Sequence, residues 1–526
     1  MGFYAYNHHA EPPSIRVKPG VNALVTTWFR KTKLGLEEQV AAWSRQGATI
    51  GIRDYLSYPA MDYDLPSRAS GLRSIDKFAK NWKDYHSWGA RYYSGEAQDN
   101  WGINGLLYYA GSRGLWDVDE KISQDAILEE FLEKSFGPVK EDIRPYYREL
   151  ELRPVHDEDL VNRLYSAIKA ARSKTDDPAI VARLNDLTLY VRYLELNNRF
   201  SLTKDGGAKR KAAEEMFTHL FRARSHSVNH ARGIMRDMRK RASIPFDEAE
   251  GGSLRAGVPP WSPDAPSYTP EEIAAMVDEG IANNARLEFD VTSYSDDLVP
   301  AAKLFTDPGE SAPLPAADRP ALYYTWADTP GVTWKIQIAN RREQAFVVKA
   351  ELWAKEEAAE EPVAESEIEI APGATREMAL KSPHSGLHRL FLSGPKIGDD
   401  LVLDPLHPWT ISVAREESIQ TLGSMRMADL FFYVPKGTKI IAARVQHGRG
   451  LVVNPEGQIV ARVDNEPMVR VDVPEGMDGR LWKIQQWRGN PFRLLTVPPY
   501  FAASPKDLLL PREVVEASVS PDKSPD

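Results

Sequence analysis

The first 117 residues constrain the fold most, because short β-like runs alternate there with amphipathic helical patterns, the signature of βα units on a parallel sheet. Four strands are expected, over Gly2–Asn7, Ala23–Phe29, Thr49–Leu56 and Ala90–Glu96. Between the second and third, Leu36, Val40 and Trp43 share a helical face. Between the third and fourth, Ile75, Phe78, Trp82 and Tyr85 recur at spacings of 3, 4 and 3, so one apolar stripe can lie against the sheet.

Farther along, NWGINGLLYYAGSRGLWD reads as a closing helix, and SQDAILEEFLEKSFGP reads as a helix with Ser123 as N-cap and Gly137-Pro138 as its stop. Helical periodicity then runs to about Arg241, with Leu184, Leu187, Val191 and Leu194 forming one stripe. Ile244–Pro270, rich in Gly and Pro, reads as a linker before a short helix at about Glu271–Ala285. From about Ala321 short alternating runs bounded by turn residues predict β-sandwiches, with a break near Pro405–Trp409. The acidic stretch Lys355–Glu369 reads as a solvated hairpin loop, and the final SVSPDKSPD as disordered.

A chain of 526 residues fits three or four domains at roughly 100–200 residues each. The expected fold class is multidomain α/β + α + β. Its segments are 1–117 (βα units), 118–243 (helical), 244–315 (linker with short helix), 316–410 and 411–515 (two β-sandwiches) and 516–526 (tail). With 13 Trp, 21 Tyr and 17 Phe the chain has ample material for cores. Its net charge of −9 argues against nucleic acid, which needs a basic surface. Cysteine is absent, which removes disulfides, thiolate metal sites and Cys nucleophiles. No run of 18 apolar residues and no signal-peptide pattern occurs, so neither a membrane span nor an export address is expected.

In parallel α/β architectures the working residues gather where the strands end. Here those ends carry Asn7, His8, His9 and Glu11, then Thr27 and Trp28, then Asp54 and Tyr55, then Ser94 and Glu96, followed by Asp99, Asn100 and Trp101. Carboxylates and amides among aromatic faces are what a sugar site needs. The expected catalytic pair is Asp54 and Glu96, each ending a row of alternate residues (Ile50, Ile52, Asp54 and Tyr92, Ser94, Glu96) read as inward-facing. Tyr6, His8, Trp28, Tyr55 and Trp101 are expected as sugar-facing walls and Asn7 as a hydroxyl partner. The competing reading pairs Asp54 with Arg53 or Arg91 and makes Glu96 a helix cap. Adjacent His8 and His9 point to opposite faces, so a metal site is not expected and hydrolysis would need no cofactor. His226 and His230 fall at i, i+4 on an expected helix, but Ser227 stands where a zincin needs Glu. The basic run Arg232–Arg241 reads as an exposed helix face, and no Walker A loop, G-x-S-x-G elbow or dinucleotide fingerprint is present.

The runs GFYAYNHHAEPP, IGIRDY, GARYYSGEAQDNWGINGLLYYAGSRGLWD and ILEEFLEKSFGP, with PYYRELE, resemble an uncharacterised bacterial domain family related to alpha-glucuronidases. The motif residues are Tyr109, Gly111, Arg113, Trp116, Asp117, Phe136 and Gly137, and the resemblance covers roughly residues 1–200. It implies that Gly2–Glu96 corresponds to strands five to eight of a (β/α)8 barrel followed by a helical region. It also implies a glycoside-hydrolase-like protein that acts on or binds polysaccharide carrying uronic acid. A full barrel takes roughly 200–250 residues. Three readings therefore stay open: a sequence incomplete at its N-terminus, with the parent secreted or periplasmic; two half-barrels self-associating through the open edge; or a nonfunctional domain. The glucuronidase acid comes from the front half of the barrel, so this chain would lack it. The alternative is a non-catalytic carbohydrate-binding or cell-surface scaffold protein whose β-sandwiches do the binding.

Overall fold

The computed structural model describes residues 2–56, 75–97, 100–116, 123–152, 157–241, 246–287, 289, 291–312, 321–355, 362–393, 401–403, 406–412, 425–445, 448–464, 468–489 and 492–519. The chain is a mixed α/β protein that divides into two compact units, Met1–Arg286 and Leu287–Asp526. Among the described residues no helix is long and apolar enough to cross a membrane.

The first unit holds a four-stranded parallel sheet in consecutive order: β1 (Gly2–Asn7), β2 (Asn22–Arg30), β3 (Thr49–Tyr55) and β4 (Tyr92–Glu96). Helix α1 (Leu36–Arg45) joins β2 to β3 and α2 (Ile75–Ser87) joins β3 to β4. The strand register Phe3↔Ala23, Ala23↔Ile50 and Ile52↔Tyr93 gathers Phe3, Ala5, Ala23, Val25, Ile50, Ile52 and Tyr93 on one face. That face packs on Val40 and Trp43 of α1 and on Ile75, Ala79, Trp82 and Tyr85 of α2. Phe3 meets Trp43 at 5.0 Å between ring centres. The carbonyl of Ala10 accepts from Gln39 Nε2 at 2.6 Å and Trp43 Nε1 at 2.8 Å, fixing the segment after β1 to α1.

Helix α3 (Trp101–Trp116) follows β4, and the helical region continues as α4 (Gln124–Phe136), α5 (Lys140–Leu152), α6 (Glu158–Arg172), α7 (Pro178–Leu202), α8 (Gly206–Arg222), α9 (Ala231–Arg241), α10 (Glu248–Ala256) and α11 (Pro270–Asn283). Ser123 Oγ accepts from Ala126 N–H, and α4 ends at Gly137, whose φ of 47° is a conformation that favours glycine. Asp157, Asp177, Asp205 and Thr269 cap α6, α7, α8 and α11 in the same way. Leu184, Leu187, Val191 and Leu194 are buried in one core with the sheet. The motif residues Tyr109 and Arg113 converge on Glu130, Tyr109 Oη donating a hydrogen bond at 2.8 Å and Arg113 forming an ion pair with Nε 3.4 Å from the carboxylate, so they tie α3 to α4. Asp117 lies outside the described residues.

Five expectations change here. Ile244–Pro270 is more than a linker: Asp247 and Glu250 form a reciprocal capping box that starts α10, and α11 packs on α6 and α7. His226 and His230 do not share a helix. His226 closes a 3-10 turn over Arg224–His226, Ser227 is left-handed at φ 54°, and His230 precedes α9. The β-rich segments are not separate sheets. One ten-stranded antiparallel sheet runs through Ile459–Asp464, Gly448–Val453, Arg480–Gly489, Met425–Val434, Tyr500–Ala502, Trp409–Ser412, Ala321–Ala327, Gly386–Ser393, Phe346–Ala354 and Ala364–Ile370. Trp409–Ser412, at the expected break, pairs with Ala321–Ala327 on one side and Tyr500–Ala502 on the other. Two three-stranded sheets share its apolar core, to which Trp334, Ile336, Ile338, Phe432, Ile441 and Trp482 contribute. Within Lys355–Glu369, residues 364–369 are strand, paired antiparallel to Phe346–Ala354, and 356–361 lie outside the described residues. Of the expected tail, 516–519 are helical, as part of Arg512–Val519, and 520–526 lie outside the described residues.

Two predictions follow from this packing. A Cβ on Gly102 would sit 2.5 Å from the Tyr190 ring and 2.8 Å from the Val228 carbonyl, so Gly102→Ala forces α3 away from α7. The overpacking costs about 1–3 kcal/mol, read as a lower midpoint for the first unit in thermal or urea unfolding. His219 is buried between Tyr268 Oη at 3.1 Å and the Leu189 carbonyl at 3.0 Å, and burial pushes its pKa down to about 3. Between pH 6.5 and about 3 the unfolded chain takes up a proton that the folded chain refuses, so stability present above pH 6.5 is lost as pH falls, by up to about 1.4 kcal/mol per pH unit. His219→Gln should flatten that part of the stability–pH curve relative to wild type.

Candidate functional site

Strand alternation places the two expected carboxylates on opposite faces of the sheet. Asp54 is opposite Gly95 and Tyr55 is opposite Glu96, so Asp54 belongs to the helix-covered face while Glu96 shares the other face with Arg53, Tyr55, Tyr92 and Ser94. Each row of alternate residues was legible within its own strand, but the two rows do not face the same way. The acid–base pair expected from Asp54 and Glu96 is therefore not assembled.

Asp54 is 5% exposed and saturated with donors. Its carboxylate accepts from Thr27 Oγ1 at 2.7 Å, from the Tyr55 backbone N–H at 2.8 Å and from Tyr93 Oη at 3.1 Å. Burial first, and then the Asp54 charge, push the phenols of Tyr85 and Tyr93 well above the ordinary range, so both stay protonated donors. Asp54 is thus a buried brace between β2, β3 and β4. It pairs with neither Arg53 nor Arg91, whose guanidinium donates to the carbonyls of His86 and Ala90.

The opposite face, free of helices among the described residues, carries the candidate site. Arg53 donates through Nη1 to Ser94 Oγ at 2.9 Å and through Nη2 to Glu96 at 2.5 Å, with the two charged side chains only 18% and 24% exposed. Glu96 therefore holds an arginine and does not cap the next helix. The guanidinium carbon lies 5.4 Å from the Tyr4 ring centre and 5.7 Å from that of Tyr55, a cation–π setting. Burial, followed by the Glu96 charge and opposed by Arg53, raises the Tyr55 phenol above its ordinary value.

A bulge shapes the rim. The register jumps from Ala5↔Val25 to Asn7↔Arg30, and Asn7 and Phe29 both adopt left-handed backbone, at φ 52° and 57°. For a phenylalanine this is strained, and it sets the Phe29 ring 5.5 Å from Tyr55 and 6.1 Å from Tyr6. Tyr4, Trp28 and Tyr92 remain about half exposed.

Of the sequence-predicted residues, Tyr6, Tyr55 and Glu96 come together here, and Asn7 supplies the strained turn beside them. His8 is exposed, with Nε2 2.9 Å from Lys31 Nζ. Trp101 is exposed on the first turn of α3, its ring 5.4 Å from Tyr108. Arg53, Tyr4, Phe29 and Tyr92 were missed. The available signal was the lone cation of TIGIRDYL and the i, i+2 spacing of Tyr4 and Tyr6; nothing local marks the Phe29 bulge. Among the described residues no group of three or more His, Asp or Glu lies close enough to hold a metal ion.

Compared with protein-family models the chain matches none, and compared with curated proteins it finds no relative.

Removing Asp54 tests its bracing role. Asp54→Ala leaves the Thr27 and Tyr93 hydroxyls without their acceptor and should cost about 2–4 kcal/mol, whereas Asp54→Asn, which keeps an acceptor oxygen, should cost less. Urea unfolding of the two variants beside wild type checks the order.

Proposed function

We propose that the chain is a glycoside-hydrolase-like protein that binds polysaccharide carrying uronic acid on the helix-free face of its parallel sheet. The observation that carries this reading is Arg53, a partly buried cation framed by Tyr4 and Tyr55 and held by Glu96 and Ser94 near the strand ends. A guanidinium can meet a sugar carboxylate, and tyrosine and tryptophan faces can stack on pyranose C–H surfaces. Four parallel strands in consecutive order with helices on one face agree with the back half of a (β/α)8 barrel, the frame implied by the resemblance to the glucuronidase-related family. The β-rich unit then reads as accessory sandwiches built on a common sheet.

The separation of Asp54 from Glu96 favours binding over hydrolysis, because glycoside hydrolysis by two carboxylates needs both beside one bond. Calorimetric titration with a short oligoglucuronate and the matching neutral oligoglucose tests the reading. Wild type should prefer the acid sugar, Arg53→Gln should abolish that preference, and Glu96→Gln should weaken binding roughly tenfold by releasing Arg53 (about 1.4 kcal/mol). Asp54→Asn should stay within about twofold of wild type (about 0.4 kcal/mol). Binding lost in Asp54→Asn that remains folded, and kept in Glu96→Gln, would overturn the assignment.

A further inference from the structure

The helical region brings a second polar pair to the loop side of β4. Asp186 lies on α7 one turn before Tyr190, so the two share a helix face. The Tyr190 ring occupies the space beside Gly102, close enough that a Cβ there would lie 2.5 Å from it. This stripe of α7 therefore runs against the first turn of α3. That same turn is bound from another side, where the Trp101 and Gly102 N–H groups donate to the carbonyls of Ser227 and Val228 at 3.1 and 3.0 Å. His226, the next residue back, has Nδ1 2.8 Å from Asp186 Oδ1.

A carboxylate accepting from Nδ1–H fixes the tautomer and leaves Nε2 for something else. The imidazole is partly exposed, and its Nε2 has no hydrogen-bond partner among the described residues. Two buried atoms at the same junction are unmatched as well. Asn104 Nδ2, one turn into α3, and Asn229 Oδ1, beside Val228, have no hydrogen-bond partner among the described residues, although both side chains are at least nine-tenths buried. Buried polar groups left in this state point to a polar ligand or water. The exposed Trp101 ring adds an aromatic platform. From Glu96 at the end of β4 to Trp101 is five residues, about 17 Å at full extension.

We propose that Asp186 and His226 form a second carbohydrate subsite beside Trp101, in which His226 Nε2 hydrogen-bonds a hydroxyl of a further sugar unit of the chain held at Arg53. The inference rests on the carbohydrate reading above. Asp186 is the positioning residue and His226 the contact. On this assignment a single sugar held at Arg53 leaves the pair untouched, and an oligosaccharide engages both.

Calorimetry with glucuronic acid and with a short oligoglucuronate, on wild type, His226→Ala and Asp186→Asn, separates the possibilities. Both variants should bind the oligosaccharide about tenfold more weakly while glucuronic acid changes by less than twofold. In wild type the His226 imidazole resonances should shift with the oligosaccharide and not with the monomer, a readout that needs no variant to fold. Wild-type binding with unchanged oligosaccharide affinity in both variants and unmoved His226 resonances overturns the subsite alone. Equal weakening for monomer and oligosaccharide also overturns it, because the pair would then act through the fold. No binding of either sugar by wild type overturns both the subsite and the carbohydrate reading.

Discussion

The two-residue side-chain period of β3 decides what this sheet can do. Arg53 and Asp54 are neighbours in sequence and must point to opposite faces. Asp54 turns toward α1 and α2, where a bare carboxylate would be costly, and three donors surround it: the Thr27 hydroxyl, the Tyr93 phenol and the Tyr55 amide. Arg53 turns the other way into a face that carries no helix among the described residues, where Glu96 and Ser94 hold it and the tyrosines flank it. One face is thereby committed to packing and bracing, and the other is left polar and aromatic. The chemistry of the first unit depends on that division.

A satisfied buried carboxylate and a partly exposed ion pair look alike in a linear sequence. Asp54 and Glu96 both end β-like runs of alternating apolar residues, and the alternation inside each run is as expected. The relation between the runs depends on register: with Asp54 opposite Gly95, the row ending in Asp54 and the row ending in Glu96 fall on different faces. Register between parallel strands is set by long-range packing, in this case by Ile50 and Ile52 meeting α1 and α2, and no local pattern encodes it.

The same division between local and non-local information runs through the rest of the chain. Strands β1 to β4, the stripe of α2 and the Ser123 cap of α4 were legible because periodicity and capping are written in adjacent residues. Helix α10 was also written locally, as the Asp247–Glu250 capping box, but the surrounding Gly and Pro residues concealed it. The ten-stranded sheet was not legible, because Trp409–Ser412 joins strands far away in sequence where turn residues suggested a boundary. The Phe29 bulge has no sequence signal at all, since its cause is the register jump between β1 and β2.

The central claim is that ligand meets the helix-free face of the sheet and leaves the helix-covered face untouched. Hydroxyl-radical footprinting read by mass spectrometry, with and without a short oligoglucuronate, tests this most directly. The account predicts that the sugar protects Tyr4, Tyr6, Trp28 and Tyr92 and leaves Tyr85 and Tyr93 unchanged. Protection confined to residues outside that face, with Tyr4, Tyr6, Trp28 and Tyr92 oxidised as fast as in the free protein, would contradict it.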